Sequence, residues 1–274
     1  DGAITNVANL SVSGTSDLGN NVTTSGTQTY TGAVTVSGGN RTLTGSTINN
    51  VSTLNGGGFN LTITGNADVD GAITGVTNLT VSGTSNLGAN VTTSGTQTYT
   101  GAVTLSGGHR TLTGTAINTV STVDGGGNSF TITAEADIDG AITSVANLSV
   151  FGATNLGANV TTTGTQTYSG ALTLSGGNRT LSTTDNQITF SGTVNSEASQ
   201  ARDLTLNVGN SQVTFNGIVG DATDGGLGAI AITGNLRVNN TIASAASLSV
   251  SGTSNLGANV TTSGTQTYTG AVTL

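Results

Sequence analysis

The sequence has no proline, cysteine, methionine, tryptophan or lysine. Without cysteine it forms no disulfide and offers no thiolate to a metal. Without proline, no segment is barred from the interior of a sheet by a missing N–H. The basic residues are five arginines, Arg41, Arg110, Arg179, Arg202 and Arg237, against 13 acidic residues, giving a net charge of −8. Nucleic acid is thereby disfavoured as a partner, because phosphate binding relies on clustered Lys and Arg. An anionic membrane surface is disfavoured for the same reason. No apolar run approaches the roughly 18 residues of a membrane span, so no membrane insertion is expected. No charged-then-apolar leader follows Asp1, and a start at DGAIT without Met reads as an excerpt of a longer protein.

Charged residues make up only 7% of the chain, and Ser, Thr and Asn occupy the polar positions instead. Val, Ile, Leu and Ala recur between β-branched threonines, a composition that favours strands over disorder. The run Leu61-Thr62-Ile63-Thr64 puts its aliphatic side chains on one face and its hydroxyls on the other, as in a half-buried strand. The 43 glycines, with Asn and Asp, punctuate these runs and supply the positive φ values of tight corners.

Internal repetition organises the chain. DGAITNVANL begins at Asp1, DGAITGVTNL at Asp70 and DGAITSVANL at Asp139, two steps of 69; NNTIASAASL begins at Asn239, a step of 100. The repeat units are therefore 1–69, 70–138, 139–238 with a 31-residue insertion, and a truncated 239–274. Tyr30, Tyr99, Tyr168 and Tyr268 keep the same spacing. Within a unit, an apolar, Ser/Thr, apolar triplet recurs as LSVSG at Leu10, VTVSG at Val34 and LTITG at Leu61, then LTVSG at Leu79. The steps are 24, 27 and 18, so the mean sub-repeat is about 23 residues.

These features predict an all-β chain, one continuous parallel β-helix (β-solenoid) over 1–274, with coils of about 23 residues and three coils per 69-residue unit. At about 4.8 Å per coil each unit would rise roughly 14 Å. Equivalent residues would stack, placing Arg41, Arg110 and Arg179 in one corner-bracing column. The insertion would be absorbed as about one extra coil, with ITFSG at Ile188, LTLNV at Leu204 and VTFNG at Val213 as new strands. A string of 69-residue sandwiches is the rival, but aromatics are only 3% and no composition shift marks a boundary.

The stretches TTSGTQTYTGAVTLSGG, RTLTG and ITFSGTVNSEASQARDLTLNVGNSQVTFNGIVG resemble the repeats of large bacterial filamentous-haemagglutinin-like and autotransporter-like β-helix surface proteins. The resemblance runs along the whole chain and implies a secreted, cell-surface adhesin-type fibre. It carries no site residue across.

Chemistry-bearing residues are few. Asp68 and Asp70 in NADVDG, and Asp137 and Asp139 in EADIDG, resemble the opening of a calcium loop, but the full pattern is absent and the fourth copy reads NLRVNN. Asp-Gly turns are the simpler reading; calcium is the one cofactor the pattern allows. His109, the only histidine, stands where sister units have Asn40 and Asn178, and lacks a partner for a catalytic dyad or a metal cluster. Asn-x-Ser/Thr occurs at Asn9, Asn60, Asn90 and Asn259, as expected by chance in such a composition. The insertion gathers Asp185, Glu197, Arg202, Asp203, Asp221 and Asp224, in no spacing that matches a catalytic pattern.

The expected function is thus structural: an extracellular fibre or stalk segment, not an enzyme, whose partners are other copies of itself or flanking repeats. Neither end carries an atypical polar coil, so end-to-end stacking into filaments is expected. The alternative is a binding module that holds a glycan or another surface partner, on a host or neighbouring cell, through its Thr/Asn-rich sides or the insertion. Ice binding through pairs such as Thr27-Gln28-Thr29 is a third reading, weakened by the unequal steps.

Overall fold

Alternation sets the strands. Leu61 and Ile63 are buried while Thr64 is exposed, in a strand Leu61–Val69 that carries a second inward pair, Ala67 and Val69. In the computed structural model, which describes residues 2–221 and 225–274, every regular element is a strand and every strand pairing is parallel. The chain is a β-solenoid. Its residues cluster into two units, Asp1–Glu135 and Ala136–Leu274.

In the first unit each coil contributes three strands, so the inward residues form three faces, each seven levels deep. The first face stacks Ile4, Val22, Leu43, Ile63, Val81, Tyr99 and Thr119. The second stacks Leu10, Gln28, Ile48, Ala67, Ser85, Val103 and Val123. The third stacks Ser16, Val34, Leu54, Ile73, Val91, Leu112 and Ile132. Nearly all of these are under a tenth exposed, and together they are the core.

The pairings correct the expected coil length. Leu10 pairs with Gln28, Gln28 with Ile48 and Ile48 with Ala67, which are sequence separations of 18, 20 and 19. The widest separation in this unit is 21, at Val22–Leu43 and at Val91–Leu112, so every coil here is shorter than the sub-repeat suggested. Eleven strand segments separate Leu10 from its sequence equivalent Leu79, because Arg41–Asn50 and Leu61–Val69 each run through a corner and serve two faces, which makes three and two-thirds turns instead of three. A unit then rises about 18 Å at roughly 4.8 Å per coil. The triplets marked only some of the strands: the steps of 24, 27 and 18 contain four, four and three.

Because eleven is not a multiple of three, equivalent residues do not stack. Leu10 lies on the second face and Leu79 on the first. Arg41 starts a strand of the first face and Arg110 one of the third, so the single arginine column is also corrected.

The second unit repeats the plan with faces that begin at Ala136, Ile142 and Leu148. Fourteen segments separate Ile142 from its equivalent Ile242, with Leu204–Phe215 and Leu227–Val238 each serving two faces and the Val219 bridge counted as one, three more than in an uninterrupted repeat. The insertion therefore adds one whole coil, built from the strands around Ile188–Phe190 and Leu204–Phe215. The surrounding coils widen, and Leu206 pairs with Ile232 across a separation of 26. Leu148 and Leu248 again differ by one face in the same sense as Leu10 and Leu79. Here Tyr168, Phe190 and Phe215 stack inside one face, with ring centroids 5.4 and 5.2 Å apart and nearly parallel planes.

Corners demand glycine where coils touch. A Cβ on Gly101 would lie 2.4 Å from the Gly83 carbonyl oxygen below it, and Gly107 adopts a φ of +65° in the Ser-Gly-Gly corner before Arg110.

Candidate functional site

The most regular polar arrangement is internal. In TTSGTQTY both Gln and Tyr point inward because they lie two apart on one strand. Gln97 is fully buried; its Nε2 donates to the carbonyl oxygens of Val91 at 3.2 Å and Thr113 at 2.8 Å, and its Oε1 accepts from the Tyr99 hydroxyl at 2.9 Å. Gln28 and Tyr30 repeat this brace, as do Gln166 and Tyr168. Burial pushes the Tyr30 hydroxyl up to about 12, and those of Tyr99 and Tyr168 further. The sequence signal was Gln and Tyr at alternate positions, read only as periodic spacing.

The arginines brace corners. Arg41 donates from Nε to the Leu18 carbonyl at 3.0 Å, from Nη1 to Asn40 O at 2.7 Å and from Nη2 to Gly19 O at 2.6 Å. Arg110 and Arg179 grip the carbonyls of Leu87 and Leu156 in the same way. Each guanidinium ties its own corner to the coil below, which leaves few N–H groups for a ligand.

His109 does what asparagine does elsewhere. Its Nδ1 accepts the Ser129 backbone N–H at 3.0 Å, as Asn40 Oδ1 accepts that of Asn60 and Asn178 Oδ1 that of Asp203. Asparagine side chains climb other corners likewise: Asn9, Asn60 and Asn90 accept backbone N–H groups of Thr27, Asn78 and Thr111 on the next coil. Asn259 is exposed.

The aspartate pairs are separated by inward residues, Val69 and Ile138, and each is drawn into the ladder. Asp68 Oδ1 accepts from Asn86 Nδ2, and Asp137 Oδ1 from Asn155 Nδ2, both at 2.8 Å. Asp70 and Asp139 are exposed at the following corners. Desolvation and then repulsion from Asp137 raise the Asp139 carboxyl, with Arg179 opposing.

Outward threonines form files. Thr42, Thr62, Thr80 and Thr98 stack on the first face before Asn118, while the second face interrupts its file with Asn49, Asp68 and Asn86.

The insertion's charged groups are spread over separate tasks. Asp203 accepts the Ala229 N–H at 2.7 Å and the Asn178 amide at 2.9 Å, Asp185 accepts the Asn210 N–H at 2.9 Å, and Glu197 is ion-paired with Arg202. Asp224 lies outside the described residues. Thr173, Asn195, Ser196, Glu197, Ala198, Asp221 and Gly225 line a cleft on the outer surface here. No family model, no curated protein and no solved structure matches this chain.

Proposed function

We propose that the chain is a structural segment, a fibre or stalk, of a large secreted or cell-surface adhesin-like protein, and that it does no catalysis. The observation that supports this most is the use of polar side chains: the recurring Gln, Arg and Asn residues, and His109, hydrogen-bond to backbone of their own or the adjacent coil, and each inward Tyr hydroxyl donates to its Gln. Such residues serve cohesion. Its partners on this reading are neighbouring repeats or other copies of the chain, since coil-on-coil stacking is the cohesive interaction the fold uses throughout. The one-face shift of each repeat distributes every feature around the axis, which suits mechanical continuity better than a single specialised face.

Two measurements test the reading. Antibodies to this segment should label the outside of intact source cells, and a purely intracellular signal would overturn it. Single-molecule pulling should give resistance to extension with release in coil-sized steps; featureless, low-force extension would contradict a load-bearing role.

A further inference from the structure

The first face of the first unit carries its outward threonines in two files. One file is Thr42, Thr62, Thr80 and Thr98, paired rung on rung. Two residues further along the same strands stand Thr44, Thr64, Ser82 and Thr100, so three rungs read Thr-x-Thr and one reads Thr-x-Ser. Thr44 and Thr64 are register partners, and the ladder continues beyond them: the Ser82 N–H donates to Ile63 O and the Thr100 N–H to Val81 O, both at 3.0 Å. We propose that this array adsorbs to crystalline ice, a function that goes beyond the fibre role and does not depend on it.

Regularity is the first argument. The unequal triplet steps do not reach this face: Arg41 to Leu61, Leu61 to Leu79 and Leu79 to Gln97 are separations of 20, 18 and 18. The break in pairing between Thr44 and Thr47 falls in the corner beyond the array. Neighbouring rungs lie about 4.8 Å apart, and the two files roughly 6.6 Å apart, twice the rise per residue of a strand. The oxygen atoms on a prism face of hexagonal ice form a rectangular net with sides near these two lengths.

The chemistry of the files is the second argument. Neither file contains a charged or an aromatic residue, so the array offers nothing to an ionic partner and no platform for a sugar ring. The hydroxyls of Thr42, Thr44, Thr62, Thr64 and Thr80 make no hydrogen bond among the described residues. On the second face, by contrast, Asn49 bonds to Thr29 and Asn86 to Asp68. Each threonine sets a hydroxyl beside a methyl on a stiff, β-branched side chain, which bonds some waters and cages others at little ordering cost. Ser82 is the weak rung, because its hydroxyl accepts the Gly65 N–H at 3.2 Å. The array ends where Asn118 and Val120 occupy the next rung.

The test is thermal hysteresis and ice-crystal shape, recorded for the full chain in a nanolitre osmometer. Thr80→Lys obstructs the middle of the array, Thr104→Lys makes the same change on the second face, and Asn118→Thr/Val120→Thr adds a fifth rung. Circular dichroism of each variant separates loss of fold from loss of adsorption, and a gain in the extended variant has no explanation in misfolding. Faceted crystals and a measurable hysteresis are expected, reduced about tenfold or more by Thr80→Lys, as for a change at the centre of a binding face, and unchanged by Thr104→Lys. The extended variant should raise the hysteresis about twofold, since adsorption grows with the number of matched contacts. Absence of hysteresis and faceting, equal losses in the two lysine variants, or retention on microcrystalline cellulose that Thr80→Lys abolishes while ice is unaffected would overturn the proposal. None of these outcomes bears on the labelling and pulling tests of the fibre reading.

Discussion

Tyr99 donates its hydroxyl hydrogen to Gln97 Oε1 at 2.9 Å, and both side chains are shut off from solvent inside a coil whose other inward groups, Thr93 apart, are aliphatic. The pair forms a closed polar unit, because the Gln97 amide also serves two backbone carbonyls. Replacing Gln97 by Leu leaves the Tyr99 hydroxyl without a partner and takes one hydrogen bond from each of those carbonyls. A loss of about 2–4 kcal/mol is expected, read as a lowered denaturant midpoint.

The buried tyrosines make the fold sensitive to alkali. An unfolded chain ionises its tyrosines near pH 10, whereas Tyr30 in the folded chain holds its proton to about 12. Through that window the unfolded state binds fewer protons, so stability present below pH 10 falls as pH rises toward 12. Melting temperature followed upward from about pH 9 should drop, and Tyr30→Phe should lessen the drop, with the remainder owed to Tyr99 and Tyr168, which are pushed up further.

Some buried hydroxyls lack any partner. Thr154 Oγ1 is one, in a side chain that is 2% exposed between Ala136 and Leu172 on its face. Thr154→Val keeps the shape and removes the unsatisfied group, so a gain of about 1 kcal/mol is expected in thermal or chemical unfolding.

Alternation makes neighbours opposite in kind. Leu105 is 1% exposed and Thr104 faces out. Leu105→Asp should destabilise by more than about 4 kcal/mol and Thr104→Asp by less than about 1, since only the first buries an unpaired carboxylate. Equal melting shifts would invert the inward register.

Much of this was legible in the sequence. Strict runs such as Leu61-Thr62-Ile63-Thr64 announce their strand and its inner face, and the 31-residue insertion could be read as one coil. The coil length could not, because strands such as Gln28–Tyr30 and Ser16–Leu18 put a polar residue inward and so hide the alternation that betrays the others. Gln28 is buried with its amide satisfied by backbone and by Tyr30, a tertiary arrangement that no single-strand pattern encodes. The stacking of arginines failed for a connected reason: column membership depends on strand count modulo three, and the hidden strands changed that count. Nor did the sequence show that the loop ending at Arg202 would close on Glu197 and wall a cleft, because that requires the position of the adjacent rung at Thr173.

The most direct test of the account is cross-linking of outward positions, which is clean in a chain without native cysteine. Thr80 lies beside Thr98, a step of 18, whereas a coil that followed the longer triplet step of 24 would set it beside Thr104. Neighbouring rungs about 4.8 Å apart are within the Cα separation a disulfide accepts. Under mild oxidation the double variant Thr80→Cys/Thr98→Cys should form an intramolecular disulfide rapidly and without loss of fold, and Thr80→Cys/Thr104→Cys should not. The reverse result would contradict the short coil, and with it the eleven-strand repeat and the rotation of equivalent residues from face to face.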